Sequence, residues 1–225
     1  MRTKALVCAA ALAAGALASW AQSNVYSLNV VGYVNVQLPV GYSLVANPLD
    51  AGNNTVSNLF NTLAQDPDFL GSTVYAWNGS FFVANQLDPF GTGWATPTAA
   101  FPPGLGFFIQ NAGTTAKTNT FVGNVMQGHL VNALPTGYKV VGSMVPQSGY
   151  VADLGLVSTP GDTIYMWNGS FFVSIQNDPF GTGWPSPVPP FTVDPVKGPF
   201  INVGQSFFYN SGDGSATWVR DFTVQ

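Results

Sequence analysis

The sequence predicts an all-β protein built as two tandem β-sandwich-like modules from an internal duplication, each with at most one short helix. The phrase WNGSFFV occurs at residues 77–83 and again at 167–173, and DPFGTGW follows at 88–94 and 178–184, both at an offset of 90 residues. Short β-prone runs are punctuated by Gly, Asn and Pro throughout, as in sandwich folds. The only cysteine, Cys8, lies in the leader, so the modules must hold together by burying apolar surface. At 46% hydrophobic residues there is enough for two ordinary cores.

Residues 1–21 read as an export signal. Arg2 and Lys4 give a positive start, 5–17 is an apolar run, and Ala-Ser-Trp-Ala at 18–21 has the small residues of a cleavage site. That run is shorter than the roughly 20 residues of a transmembrane span, and later apolar stretches are too interrupted to replace it. Leu6-Val7 are bulky where a lipid-attachment signal before Cys8 needs small residues. The expectation is a secreted protein, extracellular or at the cell surface, with the periplasm as the other compartment. Its first module would be residues 22–124 and its second 125–225.

Each module repeats the same order of signals. Leu38-Pro39-Val40-Gly41-Tyr42 matches Leu134-Pro135-Thr136-Gly137-Tyr138 at an offset of 96, and 104–109 resembles 203–208 at about 100. The shifts place insertions and deletions in surface loops, notably the proline-rich stretch 185–199. Strands are expected at 42–46 and 138–142 after a Pro-x-Gly turn. More are expected at 107–110 and 119–122, joined through Asn111-Ala112-Gly113, and at 207–210 and 217–222 in the second copy. One helix is expected where Val56, Leu59, Phe60 and Leu63 fall at helical spacing behind an Asn53-Asn54 cap. Its counterpart at 151–157 is shorter and interrupted by Gly155.

The central hairpin is the strongest local signal. Asn78-Gly79 suits a two-residue type I′ turn, setting Trp77 opposite Ser80 and Ala76 opposite Phe81. Alternation then gives one aliphatic face (Val74, Ala76, Phe81, Val83) and one aromatic face (Tyr75, Trp77, Ser80, Phe82). In the second copy these become Ile164, Met166, Phe171 and Val173 against Tyr165, Trp167, Ser170 and Phe172. The aliphatic face is the expected core, and the aromatic face needs a partner.

These residues carry a resemblance. The order GYxLVxNP, then YxWNG, then GxGFF resembles a β-rich repeat module in uncharacterised secreted and cell-surface proteins of Gram-negative bacteria, over nearly the whole mature chain. The resemblance implies a non-enzymatic extracellular role and supplies no catalytic residues. The second copy departs from it, with Ser143 and Val145-Pro146 where the first has Asn47-Pro48.

Charge and motifs exclude several chemistries. Without Arg2 and Lys4, four basic residues stand against ten acidic ones, all Asp, a net of −6. Such a surface offers no basic patch for nucleic acid. The one histidine, His129, aligns with Tyr33 of the other copy, which argues against a triad built on it. G-x-S-x-G, Walker-type, H-E-x-x-H and G-x-G-x-x-G motifs are absent. Asp88 and Asp178 stand before prolines, where the carboxylate is expected to cap its own backbone. Zinc lacks ligands, and the oxygen-rich loops 50–54 and 210–215 miss the calcium-loop register and read as turns. No catalytic residue, metal or cofactor is expected.

The aromatics are the candidate ligand-binding residues: Tyr75, Trp77, Phe82 and Trp94, with Tyr165, Trp167, Phe172 and Trp184. Either they form a platform for sugar rings, or the DPFGTGW loop folds over the hairpin so that Phe90 and Trp94 cover Trp77 and Phe82. The functional expectation is a non-enzymatic structural or adhesive protein of the bacterial surface or matrix, with polysaccharide or other surface proteins as partners. A carbohydrate-binding protein using the aromatic faces is the alternative, and a hydrolase or its accessory domain a weaker one.

Overall fold

The computed structural model describes residues 30–224. The expected export signal lies outside the described residues. The all-β reading holds: strands dominate, and the one α-helix among the described residues, α1 (Val56–Leu59), has four residues.

The first half of the chain opens with β1 (Val31–Leu38), then β2 (Gly41–Ala46), α1, a 3-10 turn at Leu63–Gln65, β3 (Thr73–Trp77), β4 (Phe82–Gln86), β5 (Gly106–Asn111) and β6 (Lys117–Asn124). Four of these strands form an antiparallel sheet in the order β2-β5-β3-β4, while β1 and β6 pair as a separate ribbon. The second half supplies β7 (Gly128–Asn132), β8 (Gly137–Gly142), β9 (Gly149–Tyr150), β10 (Leu156–Val157), β11 (Thr163–Trp167), β12 (Phe172–Gln176), β13 (Val193–Asp194), β14 (Gly198–Ile201), β15 (Ser206–Ser211) and β16 (Thr217–Phe222). Its sheet runs β8-β15-β11-β12, the same order at corresponding positions.

Each sheet turns one face toward its own core. In the first half Val74, Phe107 and Ile109 meet Phe60, Phe69, Trp94, Phe101 and Phe121, all buried. In the second, Ile164, Met166, Phe207 and Tyr209 meet Val151, Leu154, Trp184, Ile201 and Trp218. Ribbon strands alternate as strands must: along β1 the odd-numbered residues are exposed and Val34, Val36 and Leu38 turn inward.

Five details differ from expectation. First, β5 and β6 follow one another but do not pair: β5 joins β2 and β3, whereas β6 crosses to β1. Second, the hairpin turn is centred one residue later, with Trp77 opposite Phe82 and Ala76 opposite Val83. The positive φ falls on Gly79 alone, at +102°, because the Asn78 side chain accepts hydrogen bonds from the Ser80 and Phe81 amides instead of leaving Asn78 to adopt the left-handed region. A register shift of two residues preserves side-chain parity, so the two faces survive. Third, Phe81 and Phe171 drop out of the aliphatic core face and stand 62% and 61% exposed at the turn, and Val83 is exposed as well, at 45%. Fourth, Thr55 rather than an asparagine stands at the helix N-cap position, and its side chain makes no capping hydrogen bond. Asn54 is spent on the preceding turn, accepting from Ala51 N and donating to Asp50.

Fifth, the second copy replaces its helix with strands. Residues 151–155 form turns, and the loop predicted at 185–199 is not merely surface. It builds β13 and leads into β14; the two pair with each other, and β14 also pairs with β9. Val193 and Ile201 from these strands are buried in the second core, with Val188 and Phe191 packed on it. Val151 and Leu154 from the turns fill the second core where Val56 and Leu59 of α1 fill the first, and Val151 N donates to Pro199 O as Val56 N does to Ala99 O.

Candidate functional site

The aromatic faces of the two hairpins meet each other. Leu44 and Phe108 from one sheet and Val140 and Phe208 from the other form a third apolar cluster between the sheets. Six of the eight predicted site residues, Tyr75, Trp77, Phe82, Tyr165, Trp167 and Phe172, pack against it, half-buried. Their arrangement is reciprocal. Trp77 lies edge-on to Phe208 at 5.1 Å between centroids, and Trp167 edge-on to Phe108 at 5.2 Å. Phe82 touches both Phe108 and Phe208, and so does Phe172. The Trp77 indole N–H donates to the Tyr138 carbonyl at 3.0 Å, and that of Trp167 to the Tyr42 carbonyl at 3.0 Å. Edge-to-face rings are favourable beyond the area they bury, by about 0.5–1.5 kcal/mol per pair.

This contact requires the two sheets to approach closely. A Cβ on Gly106 would lie 2.7 Å from the Ser206 Cβ, and one on Gly142 would lie 2.4 Å from the Ala46 Cβ. Backbone bonds close the seam in the same reciprocal way: Ala46 N donates to Gly204 O and Gly142 N to Gly104 O. What the rings leave to solvent is a wholly apolar cleft of about 250 Å³ lined by Trp77, Tyr138, Tyr165, Phe172 and Phe208.

Trp94 and Trp184, the other two predicted residues, belong elsewhere. Both are buried, in the first and second cores respectively, and Trp94 packs on Phe60 at 5.9 Å. The DPFGTGW loop therefore does not cover the hairpin. Leu87 bridges Trp94, Asp88 N donates to Gly93 O, and Gly91 N donates back to Asp88 O. Phe90 is left at the apex of a closed loop, where it cannot reach Trp77. It is 90% exposed, and Phe180 is 91% exposed.

The loop is braced by its aspartate, as the Asp-Pro step predicts. Asp88 accepts from Phe90 N at 2.6 Å and from the Thr92 hydroxyl; Asp178 accepts from Phe180 N at 2.8 Å and from the Thr182 hydroxyl. In both, the hydroxyl and then the amide hold the carboxyl below its ordinary pKa. Beside each apex lies a shallow hollow, of about 360 Å³ in the first copy and 470 Å³ in the second. Gln86, Asp88, Thr92 and Trp94 line one, and Gln176, Asp178, Thr182 and Trp184 the other.

Comparison with protein-family models, curated proteins and solved structures returned no match. The site must be read from its own chemistry.

Other sequence candidates have local explanations. His129 faces Asp221 across β7 and β16 at 2.8 Å, on an exposed surface. Asn47 is fully buried, donating to Asn54 and accepting from Leu49 N, while Ser143 in its place bonds Val145. In the oxygen-rich loops, Asp50 accepts from Gly52 N and Asn54, and Asp213 from Ser215. Among the described residues no group of three or more His, Cys or Asp side chains converges. No helix there is long and apolar enough to cross a membrane.

Two polar clusters brace the loops after β5 and β15. Asp68 accepts from Thr114 and Thr115, through amides and hydroxyls, and Lys117 bridges Asp66 at 2.7 Å and Asp68 at 3.0 Å. In the second copy Asp162, buried, accepts from Tyr209 OH at 2.6 Å and Gly212 N at 3.1 Å. Burial and then that hydrogen bond push the Tyr209 phenol far above its ordinary range. These residues carry the signs of structural bracing, and Ser72, aligned with Asp162, does the same work by accepting from Ala112 N.

Proposed function

We propose that the chain is an exported, non-enzymatic protein of the bacterial cell surface or extracellular matrix that acts by presenting binding loops. The observation that carries this reading is the pair of phenylalanines, Phe90 and Phe180, held almost fully exposed at the tips of two identical, internally braced loops. A ring held in water by a rigid turn contributes little to the stability of its own fold, and exposed aromatic groups are characteristic contact points. The mutual burial of the hairpin faces fits the same reading, since it fixes the two loops to one framework.

Fractionation of the cells that make the protein tests it. The expected outcome is recovery with the envelope or matrix, reduced when Phe90 and Phe180 are both replaced by alanine. Recovery of the protein as a free monomer in the medium counts against the reading.

A further inference from the structure

Fourteen residues are identical in the two WNGSFFV and DPFGTGW phrases, and folding accounts for most of them. Trp77 and Phe82 join the sheets, Asn78 and Gly79 make the hairpin turn, and Trp94 fills a core. Asp88, Thr92, Gly91 and Gly93 close the loop, the glycines at φ +84° and +115°. Phe81 and Phe90 have no such explanation, and Phe90 with its counterpart Phe180 is the more exposed, at 90% and 91% against 62% and 61% for Phe81 and Phe171. The Phe90 ring helps to line a hollow whose polar groups include an amide, a carboxylate and a hydroxyl; Phe180 holds the same loop position in the second copy, beside a hollow that its ring does not itself line.

We infer that each DPFGTGW loop is a subsite for a neutral polysaccharide, with Phe90 or Phe180 as the stacking ring. This assignment rests on the surface-interaction reading above and names the partner class. The chemistry of the hollow matches a pyranose unit. A sugar ring with equatorial hydroxyls presents a flat C–H face, which lies on an aromatic ring, and an edge of hydroxyls that are donors and acceptors at once. Gln86 and Gln176 each donate one N–H to a backbone carbonyl, of Gly71 and Gly161, and keep a second N–H and the amide oxygen for a ligand, while Asp88 and Asp178 stay ionised and accept. No basic residue lines either hollow, and each carries a carboxylate. An anionic polymer is therefore repelled. The repeat narrows the class further: two sites built on the same loop sequence and held on one framework fit a ligand that repeats one chemical unit, and simultaneous engagement multiplies a weak single-site affinity.

The test is retention of the purified protein on insoluble cellulose, xylan, mannan and chitin, with alginate as the anionic control. Expected is binding to at least one neutral polymer and none to alginate. Phe90→Ala or Phe180→Ala alone should weaken binding by about tenfold, and the double variant by about a hundredfold or more. Both rings are exposed, so the variants fold, and an unchanged circular dichroism melt checks this. Gln86→Ala with Gln176→Ala should weaken binding while leaving the aromatic rings in place. Failure to bind every neutral polymer overturns the inference, as does binding that is indifferent to the double Phe variant. If the wild type still fractionates with cells through Phe90 and Phe180 but binds no polysaccharide, the sugar assignment falls and the surface role stands. If both are lost, both fall.

Discussion

At the scale of single residues, this chain spends its few charges on loops. Asp68 is the clearest case: the Thr115 hydroxyl, the Thr114 amide and Lys117 hold its carboxyl well below the ordinary range, and Lys117 does the same, less strongly, for Asp66. A carboxyl depressed in the folded state binds protons more readily when the chain is unfolded. Its stabilisation is therefore complete above the ordinary value of about 4 and is lost as pH falls through the folded value. The melting temperature should hold level from neutrality to about pH 5 and decline below about pH 4. Asp68→Asn should lower it at pH 7 and make the acid decline shallower. The decline should persist in part, because Asp88, Asp178, Asp194 and Asp213 are depressed by similar turn bonds. An acid decline as steep in the variant as in the parent, by calorimetry across pH, would remove Asp68 from the account.

At the scale of elements, strand parity was legible in the sequence and strand partnership was not. Alternation is local, so Tyr75, Trp77 and Phe82 could be set on one face of β3 and β4 even with the turn displaced. Nothing local says which surface covers a half-apolar face: of the two covers expected, one is a ligand from outside the chain and the other a loop only a few residues along it. The true cover is the other copy, some 90 residues away. The loop misled for a related reason: its aromatic content suggested a lid, whereas Asp88 and two left-handed glycines close it too tightly to fold back. A residue that the seam explains, and that periodicity alone does not single out, is Gly142, small where Ala46 stands in the first copy. Gly142→Ala would place a methyl 2.4 Å from the Ala46 Cβ, overpacking that costs about 1–3 kcal/mol. Ala46→Gly should cost about 1 kcal/mol through backbone entropy and lost packing. Combined, the two should be less destabilising than their sum by at least about 1 kcal/mol, because the second removes the clash made by the first. Urea unfolding of the four proteins measures this, and simple additivity would show that the sheets do not meet there.

At the scale of the molecule, the copies have become complementary instead of self-complementary. Equivalent positions face each other across the seam, Ala46 against Gly142 and Gly106 against Ser206. In each pair one copy carries the bulk and the other the gap. A first copy paired with itself would set alanine against alanine where the present spacing has no room for two methyls. A second copy paired with itself would set serine against serine at the other contact. Related faces that share Trp, Tyr and Phe positions are otherwise well suited to pair in identical twos, so these four residues act against that outcome. Separating the halves puts this to the test, because every strand of β1–β6 finds its ladder partners within the first half and every strand of β7–β16 within the second. Residues 22–125 and 126–225, made apart and mixed, should form a one-to-one heterodimer by light scattering. Each alone should remain a weaker and more readily dissociated species that exposes its aromatic face. Replacing Ala46 with Gly in the first fragment removes the bulk at its own seam and should strengthen its self-pairing. Homodimers of either unmodified fragment as stable as the mixed pair would mean that the small residues are incidental and the aromatic rings alone decide the match.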